Sequence, residues 1–152
     1  MPKTGTALLT LLLTVACSTT TAVPASSAVA TATIKAITPT ADTQVASTAV
    51  IEADIEYTIE NFDPRSEYYL APLFASNKGP GITFNEFERI TDGWKLSQPS
   101  GTVHVRYPIA REWRSPSLVK PVVVNFKIMV RTGPHATKVI GETEPVQYRP
   151  LA

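Results

Sequence analysis

Residues 50–62 read Val-Ile-Glu-Ala-Asp-Ile-Glu-Tyr-Thr-Ile-Glu-Asn-Phe, and apolar and polar residues alternate along them with a period of two. This alternation predicts a β-strand with one buried and one solvated face. The predicted inner residues are Ile51, Ala53, Ile55, Tyr57 and Ile59. A shift of one residue would bury the carboxylates of the outer face, so the register of this strand is strongly fixed.

Six further stretches have an extended pattern, and turn residues separate them. They are 32–39, 67–76, 82–90, 101–109, 122–131 and 138–148, and Pro145 is predicted to interrupt the last of them. The sequence therefore predicts an all-β, seven-stranded antiparallel sandwich. Residues 85–92 also fit a short helix, because Asn85 and Glu88 have the spacing of a capping box. Residues 110–120 are predicted to be a loop.

The stretch 67–76 is apolar on both predicted faces, which is typical of a strand that is buried twice. Pro72 cannot donate to a neighbouring strand, however, and prolines in sheets belong at edges or bulges. Two interpretations follow for Tyr68, Leu70 and Phe74. Either a loop of this chain covers them, or they form an apolar strand that contacts a partner protein.

This strand pattern over 33–150 resembles that of bacterial immunoglobulin-like or fibronectin-III-like domains. The resemblance implies an immunoglobulin-like sandwich. It differs from antibody-type domains, which pair two cysteines across the sheets, because the chain has a single cysteine, Cys17. A transthyretin-like sandwich or another small β-barrel is the alternative.

Residues 1–16 have the plan of a secretory signal peptide, with Lys3 before a short apolar run that is rich in leucine. Val15, Ala16 and Cys17 close that run and resemble the lipobox of bacterial lipoproteins, although Thr14 stands where Leu, Val or Ile is usual. The resemblance implies cleavage before Cys17 and acylation of this residue. The alternative is an ordinary signal peptide that is cleaved after Ser18 or Ala25.

An acylated Cys17 would anchor the protein to a membrane. Ser18 follows it in place of the aspartate that retains lipoproteins in the inner membrane, so the resemblance implies the outer membrane, facing the periplasm. Ordinary cleavage would instead release a soluble periplasmic or secreted protein. Residues 17–32 are almost wholly Ser, Thr and Ala and predict a flexible tether, which leaves 33–150 as the sandwich domain.

Composition argues against several classes of function. The formal net charge of +1 gives no case for nucleic acid as a partner, and one cysteine rules out an internal disulfide and a cysteine-based metal site. His104 and His135 are interpreted as surface residues, and no sequence motif of an enzyme or cofactor site occurs. We therefore expect no enzymatic activity, no cofactor and no metal. The acids Glu52, Asp54, Glu56 and Glu60 fit a calcium site, or a solvated face that is paired with neighbouring strands.

The segment 106–120 gathers basic residues around a tryptophan between two predicted strands, where sandwiches often bind ligands. The predicted ligand-binding residues are Arg106, Arg111, Trp113, Arg114 and Lys120. Arginine offers forked donors to phosphate or carboxylate, and an indole face suits a sugar. Alternatively, Trp113 folds back as a lid on the sandwich, and Trp94 is interpreted as a core residue.

These observations favour a non-enzymatic module of the bacterial envelope. The first hypothesis is protein–protein binding or assembly with an unknown envelope protein. The second is binding of anionic envelope glycans, either peptidoglycan or lipopolysaccharide, through 106–120. A third is inhibition of a periplasmic hydrolase by a loop such as 111–120.

Overall fold

The computed structural model describes residues 27–76, 84–85, 94–116, 118–134 and 136–151, with the backbone alone for 84–85. Within these ranges the chain forms ten strand segments and one short helix. They are β1 Val29–Thr38, β2 Gln44–Val45, β3 Val50–Glu60, β4 Tyr68–Ser76, β5 Phe84–Asn85, β6 Lys95–Leu96, β7 Ser100–Pro108, α1 Ala110–Arg114, β8 Val122–Gly133, β9 Ala136–Glu142 and β10 Val146–Pro150. No helix in this part of the chain is long and apolar enough to cross a bilayer.

The first sheet has the order β1-β3-β7, and all its pairs are antiparallel. β3 lies in the middle, and its five predicted inner residues are all buried. Both the strand and its inner face were predicted correctly. In β7, Val103, Val105 and Tyr107 also face inward, from the half-buried Val103 to the fully buried Val105.

The second sheet is built on β8, which pairs with β4 along one side. On its other side β8 pairs with β10 near its start and with β9 farther along. The two-residue strands β5 and β6 extend the sheet beyond β4, and β2 runs parallel to β10 at the opposite edge. The all-β prediction is therefore confirmed.

The two sheets pack face to face, and their inner residues form one apolar core. Tyr68, Leu70 and Phe74 lie opposite buried residues of β8 and are at most 1% exposed. The ring of Phe74 lies 5.4 Å from that of Tyr107 in the first sheet. The prediction that these three residues contact a partner is thus wrong. This chain itself covers them, and it does so with the first sheet rather than with a loop.

Pro72 lies within β4, and the position of its backbone nitrogen explains how the sheet tolerates a residue without an N–H donor. The backbone N–H of Leu70 donates to the Trp94 carbonyl at 3.0 Å, on the side of β4 away from β8. In an antiparallel strand, residues two apart direct their backbone groups to the same side. Pro72 therefore faces the gap between the short strands β6 and β5, so no ladder bond to β8 is lost.

The start of β1 differs from the sequence prediction, and so do the unpredicted short strands β2 and β6. β1 begins at Val29 rather than 32–33, because Ala28 and Ala30 are buried small residues rather than part of a solvated tether. The last strand is interrupted at 143–145, as the sequence predicted at Pro145, and there the Thr143 hydroxyl accepts the Phe126 N–H at 3.0 Å in place of a backbone carbonyl. Of the ambiguous segment 85–92, Asn85 belongs to β5 and the rest lies outside the described residues.

The sandwich has two ends, and each gathers residues that are distant in sequence. We call residues 27–28, 60–67, 94–100, 131–134 and 136–138 the entry end, because the described chain enters β1 there, with Val29 opposite Glu60. We call residues 39–49, 109–116, 118–121 and 149–151 the helix end, because α1 lies there, after β7. The register confirms this division, since Val50 lies opposite Pro108 at the helix end.

Candidate functional site

The predicted loop at 110–120 contains the one-turn helix α1. β7 ends at Pro108, and the Ile109 N–H donates to the Ala49 carbonyl at 3.1 Å. The Trp113 N–H then donates to the Ile109 carbonyl at 2.8 Å, which closes the helical turn. Four residues make about one turn, so Trp113 lies on the same side of the helix as the buried Ile109.

Trp113 packs into the core as a lid over this end of the sandwich. It is 7% exposed and shares the core with Leu118, which is 1% exposed. The Nζ atom of Lys120 lies 5.8 Å from the centre of a Trp113 ring, within the range of a cation–π contact. The prediction of Trp113 as a ligand platform is therefore wrong, and the lid alternative is confirmed. Sequence predicted Trp94 as a core residue, and it is half-buried against the core.

Beside Trp113, α1 also buries a carboxyl group. Glu112 is 1% exposed, and its Oε1 accepts a hydrogen bond from the Tyr107 hydroxyl at 2.8 Å. Its Oε2 has no hydrogen-bond partner in the described part of the chain. Sequence did not reveal this burial, because a glutamate between two arginines has the pattern of a solvated loop. The hydrogen bond ties α1 to β7, which holds the helix end in place.

The predicted basic residues separate into two groups. Arg106 lies on the outer face of β7, where its Nε donates to Glu52 Oε1 of β3 at 3.1 Å. It is therefore part of the first sheet rather than of the helix end. Arg111 and Arg114 are exposed on α1, and the Arg114 Nε donates to the Ala110 carbonyl at 2.9 Å. Together with Lys120, they bring three positive charges to the helix end.

Sequence reasoning missed three further residues of the helix end, namely Val119, Arg149 and Leu151. Tyr148 lies opposite Val122, and the strands run antiparallel. The chain after Tyr148 therefore extends towards the segment that leads into β8. Arg149 is exposed, and Val119 and Leu151 are exposed apolar residues, at 52% and 57%. Only the pairing of β10 with β8 brings these positions to one end, and no local motif indicates it.

The charges of the helix end are poorly balanced. Its described residues include Arg111, Arg114, Lys120 and Arg149, against the exposed Asp42 and the buried Glu112. Within the described chain, Arg114, Lys120 and Arg149 form no ion pair with a carboxylate. An excess of positive charge is thus exposed at this end.

The entry end has as many basic residues but balances them with acids. Arg65 Nε lies 3.0 Å from Asp63 Oδ1, and Arg131 Nε lies 3.0 Å from Glu67 Oε2. Hydrogen bonds from Arg65 lower the pKa of Asp63, which keeps this pair charged in mildly acidic solution. An open pocket of about 280 Å³ lies at the β3–β4 turn, lined by Asn61, Phe62, Asp63, Pro64 and Arg65. Because Arg65 already holds Asp63 with two hydrogen bonds, this pocket offers an anion little free positive charge.

The acids of β3 form a solvated face paired with the neighbouring strands. Glu56 lies 2.6 Å from Lys35 of β1, and Glu52 pairs with Arg106. Asp54 is 2.8 Å from the Nδ1 atom of His104, which lies on the exposed face as predicted. In the described residues no group of three or more acidic, histidine or cysteine side chains is arranged to hold a metal ion. The paired-face interpretation is therefore confirmed for Glu52 and Glu56, whereas Asp54 pairs with histidine.

Two predicted residues lie outside the described ranges, namely Cys17 and His135. Their predicted roles, in lipidation and as a surface histidine, stay predictions. Comparison with known proteins adds no functional assignment, because no family model matches the chain and no curated protein shows significant similarity to it.

Proposed function

We propose that the protein is a lipid-anchored, non-enzymatic binding module of the bacterial outer membrane, which faces the periplasm and engages an envelope protein. The observation that carries this proposal is the position where the described chain enters the sandwich. Val29 lies opposite Glu60, and the Asn61 side chain donates to the Ser27 carbonyl at 3.4 Å. An anchor at Cys17 therefore attaches to the entry end, and the helix end lies at the far end of the strands.

The length between the anchor and the sandwich supports the same arrangement. Residues 18–28 separate Cys17 from the start of β1 at Val29. Even a fully extended chain of this length reaches only about 40 Å, so the anchor keeps the domain near the lipid head groups. The helix end is then the part of the sandwich that is presented to the periplasm.

We further propose that the sandwich is immunoglobulin-like. In that fold the first, second, fourth and fifth strands form one sheet, in which the second lies between the first and the fifth, and the third, sixth and seventh form the other. The order β1-β3-β7 against β4-β8-β9/β10 supports this assignment, with β10 continuing the last strand after the interruption at 143–145. An experimental structure in which β7 pairs with β4 instead of β3 would contradict it.

The anchor is tested by expressing the full chain and its Cys17→Ser variant in a bacterium that is fed radiolabelled palmitate. The proposal expects label on the wild-type protein, sedimentation with outer-membrane fractions, and loss of both in the variant. Unlabelled wild-type protein in the soluble periplasmic fraction would refute the lipid anchor.

A second candidate function is binding of an anionic envelope glycan, and the unpaired basic residues of the helix end favour it. The buried position of Trp113 weakens this candidate, because the indole face is not available to stack on a sugar ring. The hydrolase-inhibitor alternative requires a protruding loop at 111–120. The packing of Trp113 and Leu118 into the core provides no support for such a loop.

A further inference from the structure

Most of the basic side chains elsewhere on the described sandwich pair with an acid, whereas Arg114, Lys120 and Arg149 of the helix end have no carboxylate partner in the described chain. Lys35, Arg65, Arg106, Lys127 and Arg131 each lie within 3.2 Å of a carboxylate oxygen. In contrast, Arg114 contacts a backbone carbonyl, and Lys120 lies over Trp113. The positive charges of Arg114, Lys120 and Arg149 are thus not neutralised by a carboxylate of the described chain, and an acidic partner can pair with them.

Exposed apolar residues accompany this charge. Four large apolar side chains are prominently exposed in the described chain, namely Val29, Val119, Val139 and Leu151. Two of them, Val119 and Leu151, belong to the helix end. The segment that carries Val119 is held in place, because the Val119 N–H donates to Ser76 Oγ at 2.8 Å and the preceding Leu118 is buried. This end therefore combines exposed apolar residues with arginine, and arginine is enriched at protein interfaces.

We propose that the helix end, through Arg114, Lys120, Arg149, Val119 and Leu151, is the docking surface for a protein partner with an acidic surface. Charge complementarity identifies the class of partner, since unpaired arginines and a lysine favour carboxylates. The apolar residues favour a protein over a glycan, because glycan recognition typically uses an exposed aromatic face and Trp113 is buried.

This inference rests on the proposed function, because the anchor at the entry end is what leaves the helix end facing the periplasm. The buried lid also gives the surface a rigid base. Trp113 fills the core below α1, and the hydrogen bond from Tyr107 to Glu112 fixes the helix to β7. A rigid surface loses less conformational entropy on binding than a mobile loop does.

The test uses the full-length protein, expressed in a bacterium and purified in detergent, with three probes. Poly-L-glutamate represents an acidic polypeptide, a glutamate–tyrosine copolymer adds apolar contacts, and lipopolysaccharide represents an anionic glycan. The variant Arg114→Glu/Lys120→Glu/Arg149→Glu reverses three charges of the helix end. The matched control Arg65→Glu/Lys95→Glu/Lys138→Glu makes the same number of reversals at the entry end. The neutral variant Arg114→Gln/Lys120→Gln/Arg149→Gln replaces the first variant if that one does not fold.

We expect the helix-end variant to bind both polypeptides at least about tenfold more weakly than wild type at low salt, and the entry-end control to change by less than about threefold. Val119→Ser should weaken binding of the copolymer but leave binding of poly-L-glutamate unchanged. Equal losses in both reversal variants would overturn the proposal. It would also be overturned if the helix end bound lipopolysaccharide more tightly than the polypeptides, since the surface would then be a glycan site.

The palmitate experiment distinguishes failure of this inference from failure of the proposed function. If Cys17 is not acylated but the helix-end reversal still abolishes polypeptide binding, the docking surface stands and the anchor is wrong. If acylation is found and the reversal has no effect, the anchor stands and the docking surface is wrong.

Discussion

The two ends of the sandwich have the same number of basic side chains but use them differently. At the entry end, Arg65 and Arg131 each form an ion pair with a nearby carboxylate. At the helix end, the carboxyl group of Glu112 is buried under α1 and accepts a hydrogen bond from Tyr107. In the described chain, the helix end thus exposes one carboxylate, Asp42, for its four basic residues. Composition alone therefore does not identify an exposed charged surface, because burial decides which charged groups are available to a partner.

The ends also differ in how they are closed. The entry end is a turn held by local contacts, with Phe62 half-buried and stacked 5.0 Å from Tyr68. The helix end is closed by Trp113, which belongs to the main core. We therefore expect the helix end to contribute more to folding stability, although its rim is the part available for binding.

The largest expected effect comes from removing the lid. Trp113→Ala should lower the free energy of unfolding by about 3–5 kcal/mol, because it leaves a cavity in the core. The matched change at the entry end, Phe62→Ala, should cost about 1 kcal/mol, because Phe62 is only partly buried. Equilibrium denaturation by urea measures both. Equal losses would show that the two ends are closed in the same way.

The second-largest effect on stability should come from loss of the buried hydrogen bond between Tyr107 and Glu112 at the helix end. Tyr107→Phe leaves Glu112 Oε1 without its donor in a buried position, which should cost about 1–3 kcal/mol. At the entry end, Tyr68→Phe removes the acceptor of the Asp63 N–H at 3.1 Å, a contact that is only partly buried. Water can replace that acceptor, so we expect the free energy of unfolding to fall by less than about 1 kcal/mol. The opposite order in urea denaturation would contradict the role assigned to Glu112.

The third effect concerns stability at alkaline pH, and it depends on Tyr148 at the helix end. Burial raises the pKa of Tyr148 to about 12, and its hydroxyl donates to the Pro39 carbonyl at the helix end at 2.7 Å. The unfolded tyrosine ionises near pH 10, before the folded one does. Stability from this group is therefore complete below pH 10 and is lost as the pH rises towards 12. We expect the free energy of unfolding to fall by about 1–2 kcal/mol over this pH range.

Thermal unfolding at pH 9 to 12 checks this expectation. Tyr148→Phe should be less stable at neutral pH but should show a smaller further loss above pH 10. A variant whose alkaline loss equals that of wild type would show that other groups cause the decline.

The smallest effects concern the exposed charges. A double-mutant cycle on Glu67 and Arg131 should give a coupling energy below about 1 kcal/mol, because both side chains are more than 40% exposed. Replacing Arg114, Lys120 and Arg149 by glutamine should change stability by about 0.5 kcal/mol or less, since they pair with no described carboxylate. Thermal denaturation measures both. A large loss from the glutamine variant would mean that these residues serve the fold rather than binding.

The strands differ in how much of their structure the sequence could predict. The pattern of β3 alternates, and its inner face and register follow directly from that alternation. β4 is apolar on both faces, because Tyr69 and Ala71 are also buried on the side of the sheet away from the core. A pattern of that kind does not indicate what covers each face, and this is why Tyr68, Leu70 and Phe74 could also be interpreted as a contact with a partner.

The candidate site was only partly predictable for a similar reason. The sequence indicated a basic segment around Trp113, and three of its charged residues do lie at the helix end. It could not indicate the burial of Trp113 and Glu112, which depends on the turn that α1 makes after Ile109. Nor could it place Arg149 there, because its position depends on the long-range pairing of β10 with β8.

The most direct test of the account is photo-cross-linking in living bacteria, with a photoreactive amino acid placed at Val119 or at Val29 of the full-length protein. These residues are 52% and 55% exposed, and they belong to the helix end and to the start of β1 at the entry end. We predict a defined protein adduct from position 119 that disappears with the charge reversals at Arg114, Lys120 and Arg149, and no such adduct from position 29. An adduct from position 29 alone, or one from position 119 that persists after the reversals, would contradict the account.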